Sequence, residues 1–196
     1  MLKIKVDVKS LFKKGVKKRN EDFEVALITG EMGSGKSYLG VYKSEEKKRK
    51  VFTNMKSYHS KELPVQYFTS LHELYLNSDP NLFCLLDECS KWFPKDCKVD
   101  KAFYEWLQHS RKTNRYVYMI FQEYYMVPNW IRGVAKHVYT TSRIPLINLC
   151  RTSYGIPVLD PDTKEWGIQE LSIFLYKRNK SIAALYDTDE IIYNEL

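Results

Sequence analysis

An open, mostly parallel α/β sheet with helices on both faces is the architecture this sequence predicts, and three features carry the prediction. Apolar runs at 23–28, broken only by Glu24, and at 82–86 and 116–121 alternate with stretches of helical spacing, the pattern that crossover connections impose on a parallel sheet. The first run leads directly into Thr29-Gly30-Glu31-Met32-Gly33-Ser34-Gly35-Lys36-Ser37, which reads G-x-x-x-x-G-K-S. The second run ends in two adjacent acids, Asp87 and Glu88, about fifty residues further on. Together these features predict the fold of a P-loop NTPase, with the nucleotide at the carboxyl edge of the sheet.

Composition bounds the rest. At 196 residues the chain has the length of a single core-bearing domain, divided here into a basic N-terminal extension (1–22) and a P-loop ATPase domain (23–196). The charge of +7 and the pI near 9.1 suit an anionic polymer or an anionic membrane surface, although many mildly basic proteins bind neither. Cys84, Cys89, Cys97 and Cys150 form neither a C-x₂-C pair nor a Cys/His zinc pattern, so a reduced, cytosolic compartment is expected. No run approaches the roughly 18 apolar residues of a membrane span and the N-terminus lacks a signal-peptide core, so neither an integral membrane protein nor a secreted one is expected.

Taken in order, residues 3–8 alternate as a short strand inside a segment carrying Lys3, Lys5, Lys9, Lys13, Lys14, Lys17, Lys18 and Arg19. That segment reads equally as an arm for DNA phosphates or anionic lipid and as a solvated basic extension. Residues 23–28 are the first core strand. The glycines that follow let successive N–H groups converge on phosphates, Lys36 adds a point charge there, and the Ser37 hydroxyl suits Mg²⁺. The nucleotide-contacting set is Gly30, Glu31, Met32, Gly33, Ser34, Gly35, Lys36, Ser37 and Tyr38. A helix at 37–50 turns its N-terminus to the phosphates, a strand follows at 51–55, and a helix capped by Thr69 or Ser70 spans 69–77 before a turn at 77–80. The strand at 82–86 delivers Asp87 to the Mg²⁺ and Glu88 to the attacking water. A helix at 101–112 buries Phe103, Trp106 and Leu107 as core and ends in the basic His109-Ser110-Arg111-Lys112. The strand at 116–122 ends in Gln122, placed either to sense the γ-phosphate or to cap the next turn. A short helix at 128–136, a strand at 137–141 and a closing hairpin with a turn at 160–162 and a strand at 166–176 complete the chain.

Several of these stretches together suggest a family. Leu86-Asp87-Glu88-Cys89-Ser90-Lys91-Trp92-Phe93, then Trp106-Leu107-Gln108-His109-Ser110-Arg111-Lys112, then Ile120-Phe121-Gln122, resemble the assembly ATPases of filamentous bacteriophages, whose domain is named after the zonula occludens toxin. Ile131-Arg132, residues 135–139 and Ala184-Leu185-Tyr186-Asp187-Thr188 extend the likeness over roughly 23–190. The resemblance implies a RecA-like or FtsK/HerA-like motor at the inner membrane of a bacterial host, using ATP and Mg²⁺ to extrude single-stranded phage DNA while coat protein assembles. It implies Lys36 and Ser37 on phosphate and metal, Asp87 and Glu88 as the acidic pair, Gln122 as sensor and Arg111 as the motif arginine, with Arg132 or Arg143 as alternative fingers into a neighbouring site. It also implies a homo-oligomeric ring, taken as a hexamer, acting on phage or plasmid DNA in the host cytoplasm. Members of the family usually continue into a transmembrane helix and an outer domain, whereas this sequence stops at Leu196, so either a separate membrane, capsid or coat partner or DNA packaging without a fixed exit channel is expected. Two other readings compete with the motor. In a nucleotide-gated scaffold Glu88 would have no task, and a small-molecule kinase would group in a lid the arginines that are spread out here.

Overall fold

The computed structural model describes residues 4–7, 23–144 and 149–187. The rest of the basic segment and Pro145 lie outside the described residues. Among the described residues nine strands form one sheet: β1 (Ile4–Asp7), β2 (Glu24–Thr29), β3 (Val51–Thr53), β4 (Val65–Tyr67), β5 (Phe83–Leu86), β6 (Tyr116–Ile120), β7 (His137–Ile144), β8 (Leu149–Leu159) and β9 (Trp166–Tyr176). Their order is β1-β9-β8-β7-β2-β6-β5-β3-β4. From β7 to β4 every pairing is parallel, and β7-β8, β8-β9 and β1-β9 are antiparallel.

Alternation within the parallel strands divides the core. Val25 and Leu27 of β2, Cys84 and Leu86 of β5, and Val117 and Met119 of β6 face one side. There they meet α2 (Leu71–Leu76), α3 (Lys101–His109) and α4 (Asn129–Val134) through Leu74, Phe103, Trp106, Leu107 and Ile131. Ala26, Ile28, Phe83, Leu85, Tyr118 and Ile120 face the other side and pack on Tyr38, Leu39 and Val41 of α1 (Lys36–Lys47). Helices therefore cover both faces, as the continuous apolar strands require. Each large side chain so buried contributes about 1.5–3 kcal/mol.

Element ends have local causes. Ser70, not Thr69, caps α2: its hydroxyl accepts from the Glu73 amide, while the Glu73 carboxylate accepts from the Thr69 amide. Asp100 caps α3 by accepting from the Phe103 amide. This helix stops at His109 rather than Lys112, because Asn114 turns left-handed (φ 51°) and the Arg115 amide donates back to the Ser110 carbonyl. The helix expected over 128–136 ends at Val134, since Lys136 already donates to Val25 and starts the pairing of β7 with β2. Pairing with β8 carries β7 on to Ile144, three residues past its expected end. Strand β4 was not expected, and neither was the length of the β8–β9 hairpin.

At the amino edge of the sheet one buried charge is fully engaged. Glu24, 7% exposed, accepts from Tyr118 Oη at 2.5 Å and Tyr139 Oη at 3.3 Å, and meets His137 Nδ1 at 2.5 Å. Burial alone would raise its carboxyl, but the bonds to His137 and Tyr118 outweigh that and hold it below the usual glutamate value. A lowered value stabilises the fold above about pH 4.5, and the contribution is lost as pH falls through the folded-state value. Glu24→Gln should therefore cost about 1–3 kcal/mol at pH 7. Paired urea titrations should show the gap narrowing only once the pH falls below about 4.5, and equal midpoints at pH 7 would contradict this account.

Candidate functional site

The site is built where three parallel strands end side by side. β2 runs into the loop 30–35, β5 into Asp87 and β6 into Gln122, and the Gly30 amide donates to the Gln122 carbonyl at 2.9 Å. Gly30, at φ +146°, lies so close to β7 that an added Cβ would stand 2.2 Å from the Thr141 carbonyl oxygen. Ser34 Oγ shares a 2.7 Å hydrogen bond with Thr141 Oγ1, which also donates to the Thr29 carbonyl. β7 thus buttresses the loop from outside. Gly35, at φ +102°, begins α1 with no capping side chain, so the first N–H groups of the helix stay open to a ligand.

Lys36 Nζ lies back over its own loop, donating to the carbonyls of Gly30 at 2.9 Å and Glu31 at 3.0 Å. Partial burial lowers its ammonium below the usual lysine value, opposed by the charges of Asp87 and Glu88. Ser37 Oγ donates to Asp87 Oδ2 at 2.8 Å, joining loop and β5 across β6. Asp87 is buried, which pushes its carboxyl up to about 6 against the downward pull of the Ser37 hydroxyl and the Glu88 amide. Asn54, just beyond β3, clamps the Asp87 backbone in both directions, donating to its carbonyl and accepting from its amide at 2.8 Å each. Glu88 adopts a left-handed conformation (φ 54°) that turns the chain out of the strand.

Of the residues singled out from sequence, Met32, Gly33, Gly35, Lys36, Ser37, Tyr38, Asp87, Glu88 and Gln122 line one cleft. Ser34 is buried against β7 and Glu31 is exposed outside the cleft, so these two offer it backbone only. The Tyr38 ring packs into the core against Tyr176, and its hydroxyl accepts from the Asn179 amide at 2.8 Å. Arg111 follows α3 in the turn before β6, at the amino edge and therefore at the opposite end of the sheet from the cleft. Arg132 is 7% exposed and is engaged with the Tyr125 carbonyl at 2.7 Å, whereas Arg143 is exposed on β7 beyond the loop.

Sequence reasoning missed Asn54, Thr141, Arg178 and Tyr186. The last two line the cleft from 50 or more residues beyond Gln122; no motif marks Arg178, and Tyr186 stands in a stretch that carries the family likeness without any site role read from it. Asn54 and Thr141 carry a faint signal, as polar residues that close apolar strands. Among the described residues, no group of three or more His, Cys, Asp or Glu side chains could hold a metal. One hydroxyl and one carboxylate instead fit a hard cation that takes its other ligands from phosphate and water.

No curated protein is significantly similar in sequence. Among solved structures, the N-terminal domain of zonular occludens toxin from Neisseria meningitidis superposes with a TM-score of 0.61 at 21% identity, over 84% of this chain and 98% of that one. The genome packaging NTPase B204 from Sulfolobus turreted icosahedral virus 2, in complex with ATP-gammaS, gives a TM-score of 0.54 at 14% identity, over 77% and 98%. B204, the DNA-packaging ATPase from Sulfolobus turreted icosahedral virus, gives 0.50 at 15%, over 77% and 98%. The fold is thus that of P-loop NTPases. Residues 60–190, more than half of the sequence, match the model of the Zonular occludens toxin (Zot) family, and the chain belongs to that family.

Proposed function

We propose that this chain is an ATP-hydrolysing motor that works as a homo-oligomeric ring in virus assembly, moving phage or plasmid DNA for packaging or export. One observation carries the reading: Ser37, in the first turn of α1, and Asp87, just past the end of β5, meet at 2.8 Å beside Lys36, with Glu88 and Gln122 on the same cleft. Membership of the Zot family supports the assembly role. The names of the two B204 proteins, one in complex with ATP-gammaS, support the nucleotide and packaging parts.

In this reading the loop amides and the first turn of α1 bind the phosphates, and Lys36 leaves the Gly30 and Glu31 carbonyls to reach the β- and γ-phosphates. Ser37 and Asp87 hold Mg²⁺, which when bound neutralises charge on the transferring phosphoryl group. A cation there also favours the ionised Asp87 that burial disfavours. Glu88, with no hydrogen bond to its carboxylate among the described residues, takes the proton of the attacking water, and Gln122 orients that water. Arg111 cannot serve its own cleft from the other end of the sheet, so its catalytic role is exerted on a neighbouring subunit, across a ring interface.

Lys36→Ala should abolish binding of ATP. Glu88→Gln should keep binding while lowering DNA-stimulated turnover by about 10²–10⁴-fold, the usual size of a lost general base. Steady-state hydrolysis with and without single-stranded DNA measures this, and unchanged turnover in Glu88→Gln would leave a nucleotide-gated scaffold as the better reading. Arg111→Ala should be as inactive as Glu88→Gln on its own. Mixing the two variants should restore part of the activity, because each subunit then lacks a different half of a composite site, and a mixture that stays inactive would remove Arg111 from the mechanism.

A further inference from the structure

The segment after β9 runs over the outside of α1 and is fastened along its length. The Asn179 amide donates to Tyr38 Oη at 2.8 Å, α5 (Lys180–Ala183) packs on α1, and the Leu185 carbonyl accepts from the His59 amide at 2.7 Å. The Asp187 amide closes the run by donating to Ser57 Oγ at 3.0 Å. Two side chains of this strap, Arg178 and Tyr186, line the cleft together with Lys36, Ser37, Asp87 and Glu88.

Arg178 is placed with unusual economy. Its Nη2 donates to the Gly33 carbonyl at 2.9 Å and its Nε to Cys150 Sγ at 3.3 Å, and its guanidinium lies 5.9 Å from the centre of the Tyr38 ring. A Cβ added to Gly35 would stand 2.9 Å from Nη2, so the fork lies directly against the turn where the loop becomes α1. Neither hydrogen-bond acceptor is a carboxylate, and three of the five guanidinium N–H groups have no protein partner among the described residues. A fixed cation with spare donors, in a cleft shaped for phosphates, is the arrangement that recognises an anion by a fork of hydrogen bonds.

Its position selects which phosphates it meets. Lys36 lies at the Gly30–Glu31 end of the loop, beside Gln122, and is the cation of the β- and γ-phosphates. Arg178 lies at the Gly33–Gly35 end, next to Tyr38, where loop and helix amides cradle the α- and β-phosphates. We propose that Arg178 is a second phosphate-binding cation, holding the α- and β-phosphates common to di- and triphosphates and tying the strap to nucleotide occupancy. This rests on the reading of the cleft as a nucleotide site.

Isothermal titration of the full chain with ADP and with a non-hydrolysable ATP analogue tests it, using wild type, Arg178→Ala, Arg178→Gln, Arg178→Lys and, as a control for the site itself, Lys36→Ala. Arg178→Ala and Arg178→Gln should each weaken both nucleotides by about tenfold, the size of one charge-assisted hydrogen bond. Arg178→Lys, which keeps the charge and loses the fork, should fall between them and wild type. Thermal melts without nucleotide identify any variant that fails to fold, and the glutamine and alanine variants stand in for each other. Wild-type affinity in a folded neutral variant would overturn the proposal, and so would a loss confined to the triphosphate analogue. If wild type itself binds neither nucleotide, the reading of the cleft falls and Arg178 falls with it, whereas binding that Lys36→Ala removes and the Arg178 variants keep would reject Arg178 alone.

Discussion

A parallel strand covered on both faces has nowhere to put a polar side chain until it ends. This constraint organises the molecule. β5 and β6 are buried at every position, and β2 carries only Glu24 and Thr29 as polar residues, one at each end. Because β2, β6 and β5 are neighbours, their polar termini converge at the carboxyl edge without any further device: the loop from β2, Asp87 from β5, Gln122 from β6. The Ser37–Asp87 hydrogen bond spans the width of a whole strand, and it forms only when both flanking pairings hold their register. Apolar packing thus sets the chemistry, since a one-residue slip of β5 would exchange every side chain between faces and move Asp87 away from Ser37.

The same constraint explains what could be read from sequence. Runs such as Phe83–Leu86 and Tyr116–Ile120 are continuous because both faces are buried, so they stand out without an alignment. The loop is legible for a different reason: positive φ at Gly30, Gly33 and Gly35 restricts the residue type strongly enough to leave a motif. The antiparallel half carries neither signal. β8 and β9 are only partly buried, and a bulge between Tyr154 and Gly155 breaks their alternation, so just one strand of the hairpin had a recognisable pattern. Strand β4, three residues long with Gln66 and Tyr67 exposed, is too short to show a period at all.

Within the site, residues whose identity is fixed by chemistry were legible and those fixed by three-dimensional position were not. Lys36, Ser37, Asp87 and Glu88 follow from spacing and from the ends of apolar runs. Asn54 does its work through a reciprocal amide clamp on one backbone unit, which requires β3 to lie beside β5, a pairing sequence alone does not specify. Arg178 reaches the loop only because the strap doubles back from β9, 145 residues beyond Gly33. Ser34, Glu31 and Tyr38 illustrate the converse: a motif position marks backbone geometry, and their side chains serve β7, solvent and the core.

The two halves of the sheet are therefore not equivalent, and β7 is the seam between them. One edge of β7 pairs in parallel with β2 and the other antiparallel with β8, so a single strand both supports the loop and carries the hairpin. Thr141 contacts the loop directly through Ser34, and Arg178, beyond the far strand of the hairpin, contacts it again through Gly33. The loop is thus held at Ser34 and Gly33 by elements of the antiparallel half, and at Gly30 a methyl would collide with the β7 backbone. The hairpin is then more than an accessory to the parallel core. Through β8 and β9 it joins the two elements that touch the loop, β7 and the segment that carries Arg178.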